Sequence, residues 1–334
     1  MSMIGRPFGT TSQSEQIVTS EISAFGLHAS IINWGASVQD LRLDGHPHPL
    51  VLGFTTLQDY IDHGQHHGAT AGRVINRIGG GTAVIDGTAY SLDVNQDGRH
   101  MLHGGHHGFG LKAWQITEHQ HDTVLLTLTD PDGSMGFPGT VQAGCRYSIV
   151  ARDDGPALRV ELTATTDAPT LVNLGHHSYF RLDDTGDVRA HFLSIDADHY
   201  LPCAPDSLPL GPIEPVEGTR FDFRNRRPVG ESYDHNFCLA RDRRDLTRVA
   251  HLDSPHSGIS MQLSTTEPGL QLYTGQNLGD GGISLDGTPC GPFTGLCLEP
   301  QFWPNAPHQA AFPSIDLMPG DRYQQITEFT FTRG

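Results

Sequence analysis

Hydrophobic positions along this chain alternate with polar ones over short stretches and rarely recur at helical spacing. Leu158, Val160 and Leu162 share one face of a strand against Arg159, Glu161 and Thr163. Ile259, Met261 and Leu263 alternate in the same way with Ser260, Gln262 and Ser264. Further strands are predicted at Thr123–Thr129, Val141–Val150, His191–Tyr200, Gly269–Gly275, Gly295–Trp303 and Tyr323–Phe331. Within Thr82–Leu92, Asp86-Gly87 is a type I′ turn pair between β-formers and predicts a hairpin. Phe54–His63 is one of the few stretches able to form a short helix, and Pro202–Pro228 reads as a long connection. Strands at roughly 8–12-residue spacing predict an all-β sandwich or barrel. No linker interrupts the pattern, so one large domain spanning residues 1–334 is expected.

The stretch Pro169–Arg181, PTLVNLGHHSYFR, starts like a buried strand and ends in clustered donors and acceptors. Strand parity places Asn173, His177 and Tyr179 on one face and Val172, Leu174, His176 and Phe180 on the other. His177 is then expected on the polar side and His176 among apolar groups.

Composition narrows the function. Gly 39 and Pro 22 imply many turns. A formal charge of −17 argues against nucleic acid or an anionic membrane as partner, since both need basic patches. Five scattered cysteines without a CxxC pair form neither a disulfide framework nor a zinc ribbon. They fit free thiols in a reducing compartment. The N-terminal stretch lacks the basic start and apolar run of a signal peptide, and no stretch approaches the ~20 apolar residues of a membrane span. A cytoplasmic protein is expected.

Five places carry candidate chemistry: Gly72–Ile78 with Asn76 and Arg77, Met101–Gly108 with His103, the strand bearing His177, Ser232–Phe237 with Asp234, and Gly295–Pro304 with Glu299. Parity sends Leu296 and Leu298 one way and Glu299 and Gln301 the other. Glu299 is thus a carboxylate in an apolar strand, a placement that calls for a partner or a purpose. His63, His66 and His67, or His103, His106 and His107, can supply nitrogen ligands, but no HExxH or HxH-with-carboxylate pattern supports a metal. A P-loop, a GxGxxG turn and a GxSxG elbow are all missing from the sequence. The remaining set suits proton transfer on a neutral, hydroxyl-rich molecule, with Tyr179, Phe302 and Trp303 as candidate stacking partners for a sugar ring. Isomerisation, hydrolysis and simple binding all stay open on these residues.

Taken together, GRVINRI with LHGG, NLGHHSYF, VEGTRFDFR, YDHNF, GLQLYTGQNL and CLEPQFWPNAPHQAAFP resemble the aldose 1-epimerase (galactose mutarotase) family, in its order. The resemblance implies a large single-domain antiparallel β-sandwich, the galactose mutarotase-like supersandwich. It implies a cofactor-independent isomerase that interconverts the α and β anomers of free hexoses; two proton-transfer groups suffice without a metal, and a monomer or homodimer is expected. Carried over by motif, Glu299 matches the general base at the C1 hydroxyl and His177 the general acid at the ring oxygen. Asn76, Arg77, His103, Asp234 and Gln271 match sugar-binding positions, and Tyr179 is expected to help line the pocket. His176 departs from the family pattern, which has an amide there. Ordinary pKa values would leave Glu299 ionised and allow His177 to be protonated. A sugar-phosphate epimerase, a glycosidase using Glu299 and Asp234, and a non-catalytic sugar-binding sandwich are the competing readings.

Overall fold

A computed structural model describes residues 5–279 and 281–334. The alternation seen in the sequence becomes antiparallel sheets. The largest has nine strands, in the order Gln115–His119, Thr123–Asp130, Val141–Arg152, Gly155–Thr166, Tyr323–Arg333, Ile259–Thr265, Thr247–Asp253, Phe192–Ile195 and Arg227–Pro228. A six-stranded sheet runs Tyr179–Phe180, Leu296–Gln301, Gly269–Tyr273, Asp234–Cys238, His199–Tyr200 and Glu214–Pro215. A third sheet holds the first four strands, from Arg6–Thr10 to Ser37–Leu43.

These sheets form a sandwich because their apolar faces share one core. Leu158, Val160 and Leu162 from the large sheet join Leu270, Leu272, Leu296, Leu298 and Phe237 from the six-stranded sheet and Ile31 and Val38 from the third. Each such side chain, buried to within a few per cent, contributes about 1.5–3 kcal/mol relative to exposure. The helix expected over Phe54–His63 is real but shorter, Leu57–Asp62, because the Thr56 hydroxyl accepts from the Asp59 amide and sets its start. The predicted hairpin pairs Thr82–Ile85 with Thr88–Ser91, and both turn residues take positive φ (Asp86 46°, Gly87 76°). Part of the long connection also pairs, through Glu214–Pro215 and Arg227–Pro228.

Pro169–Arg181 is not one regular strand. Thr170–Leu171 pairs with Asp316–Leu317, Gly175–His177 with Ala69–Ala71, and Tyr179–Phe180 with Leu296–Gln301. The segment crosses from sheet to sheet while keeping its alternation. Asn173 bridges one gap as a strand would, its Oδ1 accepting from the Phe302 amide (3.0 Å) and its Nδ2 donating to the Phe302 carbonyl (3.3 Å). It thereby ties the His177 segment to the end of the strand that carries Glu299.

Candidate active site

One face of the six-stranded sheet is the core just described; the other carries buried polar side chains beside a second apolar cluster that includes Tyr179 and Cys297. Directly paired residues share a face, and the register pairs Gln271 with Glu299, Asn236 with Gln271, Tyr273 with Cys297, Asp234 with Tyr273, and Tyr179 with Cys297. Glu299, Gln271, Asp234, Tyr273, Cys297 and Tyr179 therefore stand together opposite the core. Gln271 Nε2 donates to Asp234 Oδ1 (2.7 Å), and the second Asp234 oxygen lies 3.4 Å from an Arg77 guanidinium nitrogen.

The facing wall comes from two turns. Asn76 and His103 both occupy the left-handed region (φ 63° and 51°), a strained placement typical of sites that must aim a side chain. They lock each other: the His103 amide donates to the Asn76 carbonyl (3.0 Å), and the Asn76 amide donates to His103 Nδ1 (3.2 Å). That second bond makes Nδ1 an acceptor, so the proton of neutral His103 sits on Nε2. Asn76 Oδ1 accepts from the Arg77 amide (2.9 Å), and Arg77 Nε donates to Gln96 Oε1 (2.9 Å). Gly104 permits the turn: its φ is +85°, and a Cβ there would fall 1.9 Å from the Gly72 carbonyl oxygen.

Between the walls, His177 Nε2 lies 3.6 Å from Glu299 Oε1, and Cys297 Sγ lies 3.5 Å from His177 Nδ1. The His103 ring centroid is 5.1 Å from that of His177 and 4.6 Å from that of His66. Glu299 is 2% exposed and His177 4%, and Glu299 Oε2 has no hydrogen-bond partner among the described residues.

Burial reverses the ordinary protonation expected from sequence. Desolvation first, then the nearby Asp234 charge, holds the Glu299 carboxyl well above its usual range, against the pull of Arg77. Desolvation first, then His66, holds His177 well below 6.5. His103 is likewise pushed well down, mainly by burial, and His66 to about 4 by burial. At 3.6 Å, Glu299 and His177 titrate as a pair. Both shifts favour a pair that holds one proton, either on the carboxyl or on the imidazole. Moving it from Glu299 to His177 creates a base and an acid side by side with no change in net charge.

The aldose 1-epimerase family model matches residues 19–330. The chain is 37% identical over 322 residues to galactose mutarotase of Sus scrofa, covering 92% of this chain and 91% of the relative. It is 34% identical over 325 residues to aldose 1-epimerase of Escherichia coli (strain K12), covering 92% of each. The chain belongs to the aldose 1-epimerase family. The fold agrees: a crystal structure of an aldose epimerase homologue from C. elegans superposes with a TM-score of 0.88 at 30% identity, covering 95% of this chain and 99% of that one.

In this family member the structure brings His177, Glu299, Asn76, Arg77, His103, Asp234 and Gln271 to one place. Tyr179 sits behind them: it is 2% exposed, its ring is 5.1 Å from that of His177, and its hydroxyl donates to the Gln65 carbonyl (3.1 Å). Phe302 and Trp303 are not stacking platforms. Phe302 packs with Ile78 and Ile315 in one apolar cluster, and Trp303 packs on Phe312 with its indole N–H on the Pro268 carbonyl. His106 and His107 are exposed, while Arg73 of the GRVINRI motif is a buried structural cation bound to Asp130 (2.6 Å). Gln96 and Cys297 have no assigned role in the sequence pattern, and His66 figures there only as a possible nitrogen ligand. Cys297 was accessible by parity, two residues before Glu299 on the same face. Gln96 and His66 arrive on turns that carry no periodic signal.

His176 faces the other way, as parity requires. Tyr147 donates its hydroxyl to the Ala36 carbonyl (2.6 Å), so its oxygen accepts from His176 Nδ1 (3.3 Å), and the Ser178 hydroxyl donates to His176 Nε2 (2.8 Å). Burial holds this imidazole down to about 3. It is a neutral bridge in the core behind the site.

Proposed function

We propose that the protein is an aldose 1-epimerase whose Glu299 and His177 interconvert the α and β anomers of free hexoses such as galactose and glucose. The observation that carries this reading is the buried 3.6 Å contact between His177 Nε2 and Glu299 Oε1, beside a Glu299 Oε2 left without a partner among the described residues. A buried unpaired acceptor costs about 1–3 kcal/mol, which a sugar hydroxyl offsets by donating to it.

Glu299 as carboxylate removes the proton from the C1 hydroxyl while protonated His177 delivers its proton to the ring oxygen. The C1–O bond of the ring breaks and the open-chain aldehyde forms. Rotation about C1–C2 presents the other carbonyl face. The ring oxygen then returns its proton to His177 as it closes on C1, and Glu299 returns its proton to the new C1 hydroxyl. The pair ends as it began, and each positioned transfer is worth about 10²–10⁴-fold.

The neutral Nε2–H of His103, the carboxylate of Asp234, the amides of Asn76 and Gln271 and the guanidinium of Arg77 hold the sugar hydroxyls. Arg77 is already tied to Asp234, Asn76 and Gln96, which suits hydroxyls over a phosphate dianion. In this reading Tyr179 steadies the His177 ring. The chain acts as one domain, supported by Tyr323–Arg333 pairing in mid-sheet with Gly155–Thr166 and Ile259–Thr265. It works as a monomer or homodimer in the cytoplasm, a placement that its unpaired cysteines support.

Polarimetry of freshly dissolved α-D-galactose and α-D-glucose tests the reading. Acceleration far above the buffer rate is expected, and folded protein giving only the buffer rate on both sugars overturns it.

A further inference from the structure

The proton transfers assigned above leave Cys297 unused. Its thiol is fully buried on the same face as Glu299 and touches His177 Nδ1 at 3.5 Å. Ligand atoms of His177, Cys297 and Glu299 all lie within 4.8 Å of one another, the one such trio of His, Cys, Asp or Glu found among the described residues. Each of the three is more than nine-tenths buried, and the Oε2 of Glu299 has no partner among the described residues.

An imidazole nitrogen, a thiolate and a carboxylate oxygen are the donor types of tetrahedral zinc, and the soft sulfur disfavours magnesium and calcium. Zinc bonds of about 2.0–2.3 Å hold ligand atoms roughly 3.3–3.7 Å apart. The His177–Glu299 and His177–Cys297 separations, 3.6 and 3.5 Å, already fall in that range. They use different ring nitrogens, so ligation through one nitrogen draws the third ligand in by roughly an ångström.

We propose that His177, Cys297 and Glu299 form a binding site for a thiophilic divalent cation of the zinc type, and that its occupancy blocks the sugar site. Binding displaces to solvent the Cys297 thiol proton and the single proton shared by Glu299 and His177; no electrons move. The fourth position falls to water or a sugar hydroxyl. The metal removes from use both groups that exchange protons with the sugar, so it inhibits rather than assists. The inhibitory part rests on the mutarotase reading; the binding part does not.

The test titrates the full, reduced chain with Co²⁺ and follows the thiolate-to-cobalt charge-transfer band. One equivalent per chain is expected, with the band displaced by Zn²⁺, weakened by excess galactose, and lost in both Cys297→Ser and Cys297→Ala. In polarimetry, Zn²⁺ should inhibit the wild type reversibly to chelator, and Cys297→Ser should need at least tenfold more Zn²⁺, judged against its own zinc-free rate. No thiolate band, an unchanged band in Cys297→Ser, or equal zinc sensitivity in that variant overturns the proposal. A cobalt band in a chain that does not accelerate mutarotation keeps the metal site and overturns the sugar reading instead.

Discussion

His177 Nε2 lies 3.6 Å from Glu299 Oε1, although the two side chains come from segments far apart in sequence. They meet because Tyr179 pairs with Cys297 and Asn173 holds the backbone of Phe302, on either side of Glu299. Both side chains are buried, so water screens their interaction little and one proton serves the pair.

The pH–rate profile should reflect that shared proton. Burial holds His177 below 6.5, so the pair accepts a second proton only on the acid side of the usual imidazole range. Burial holds Glu299 above 4.5, which moves loss of the last proton to higher pH. The kcat/KM of mutarotation, which reports the groups of the free enzyme, should stay level through neutrality, with the midpoint of its acid limb below pH 6.5. An acid midpoint at or above 6.5 contradicts the assignment.

Glu299 should cost stability. Its folded pKa is raised above the unfolded 4.5, so the favourable neutral form is fully present below pH 4.5 and is lost as pH rises through the folded value. Glu299→Gln should therefore unfold at a higher temperature than wild type at pH 7, with a smaller gain at pH 4.5. Thermal scans at the two pH values check this; a gain that shrinks with rising pH refutes the sign.

Acid should also destabilise the fold through its buried imidazoles. His66, His67 and His176 are held to about 4, 3 and 3 by burial, against 6.5 when unfolded. A depressed imidazole loses stability as pH falls below the unfolded value, by up to about 1.4 kcal/mol per pH unit per group. His176→Leu should flatten the loss of Tm between pH 6.5 and 4. At pH 7.5 it should cost about 1–3 kcal/mol, because it leaves Tyr147 and Ser178 short of a partner. Its mutarotase kcat should stay within about threefold, since a positioning effect of this kind is small beside the 10²–10⁴-fold of a proton-transfer group.

Parity carried much of this site from the sequence. Alternation alone separated His177 from His176 and set Glu299 and Gln301 opposite Leu296 and Leu298, and the sheet keeps both arrangements. What alternation does not encode is which strands become neighbours, so Cys297 beside His177 was not apparent. Protonation is not legible either, because a pKa depends on depth and a residue's type does not report depth. The aromatic type of Phe302 and Trp303 suggests stacking platforms, yet their burial is decided by Ile315 and Phe312, on a later loop.

Gln96 illustrates a contribution from a turn. It accepts from Arg77 Nε and is half-buried at the edge of the site. Gln96→Ala frees the guanidinium, a loss of about 1 kcal/mol. That corresponds to a roughly fivefold rise in KM for galactose, with kcat unchanged within about twofold. A fall in kcat with constant KM would place Gln96 in the chemistry instead.

The most direct test is the initial rate of α-D-galactose mutarotation, by polarimetry, for wild type, Glu299→Gln, His177→Asn and the double variant, each shown to be folded. Each single variant should lose about 10²–10⁴-fold, and the double variant little more than the worse single one, because the two groups act as a unit. A folded single variant running within tenfold of wild type, or losses that multiply in the double variant, would contradict the shared-proton pair.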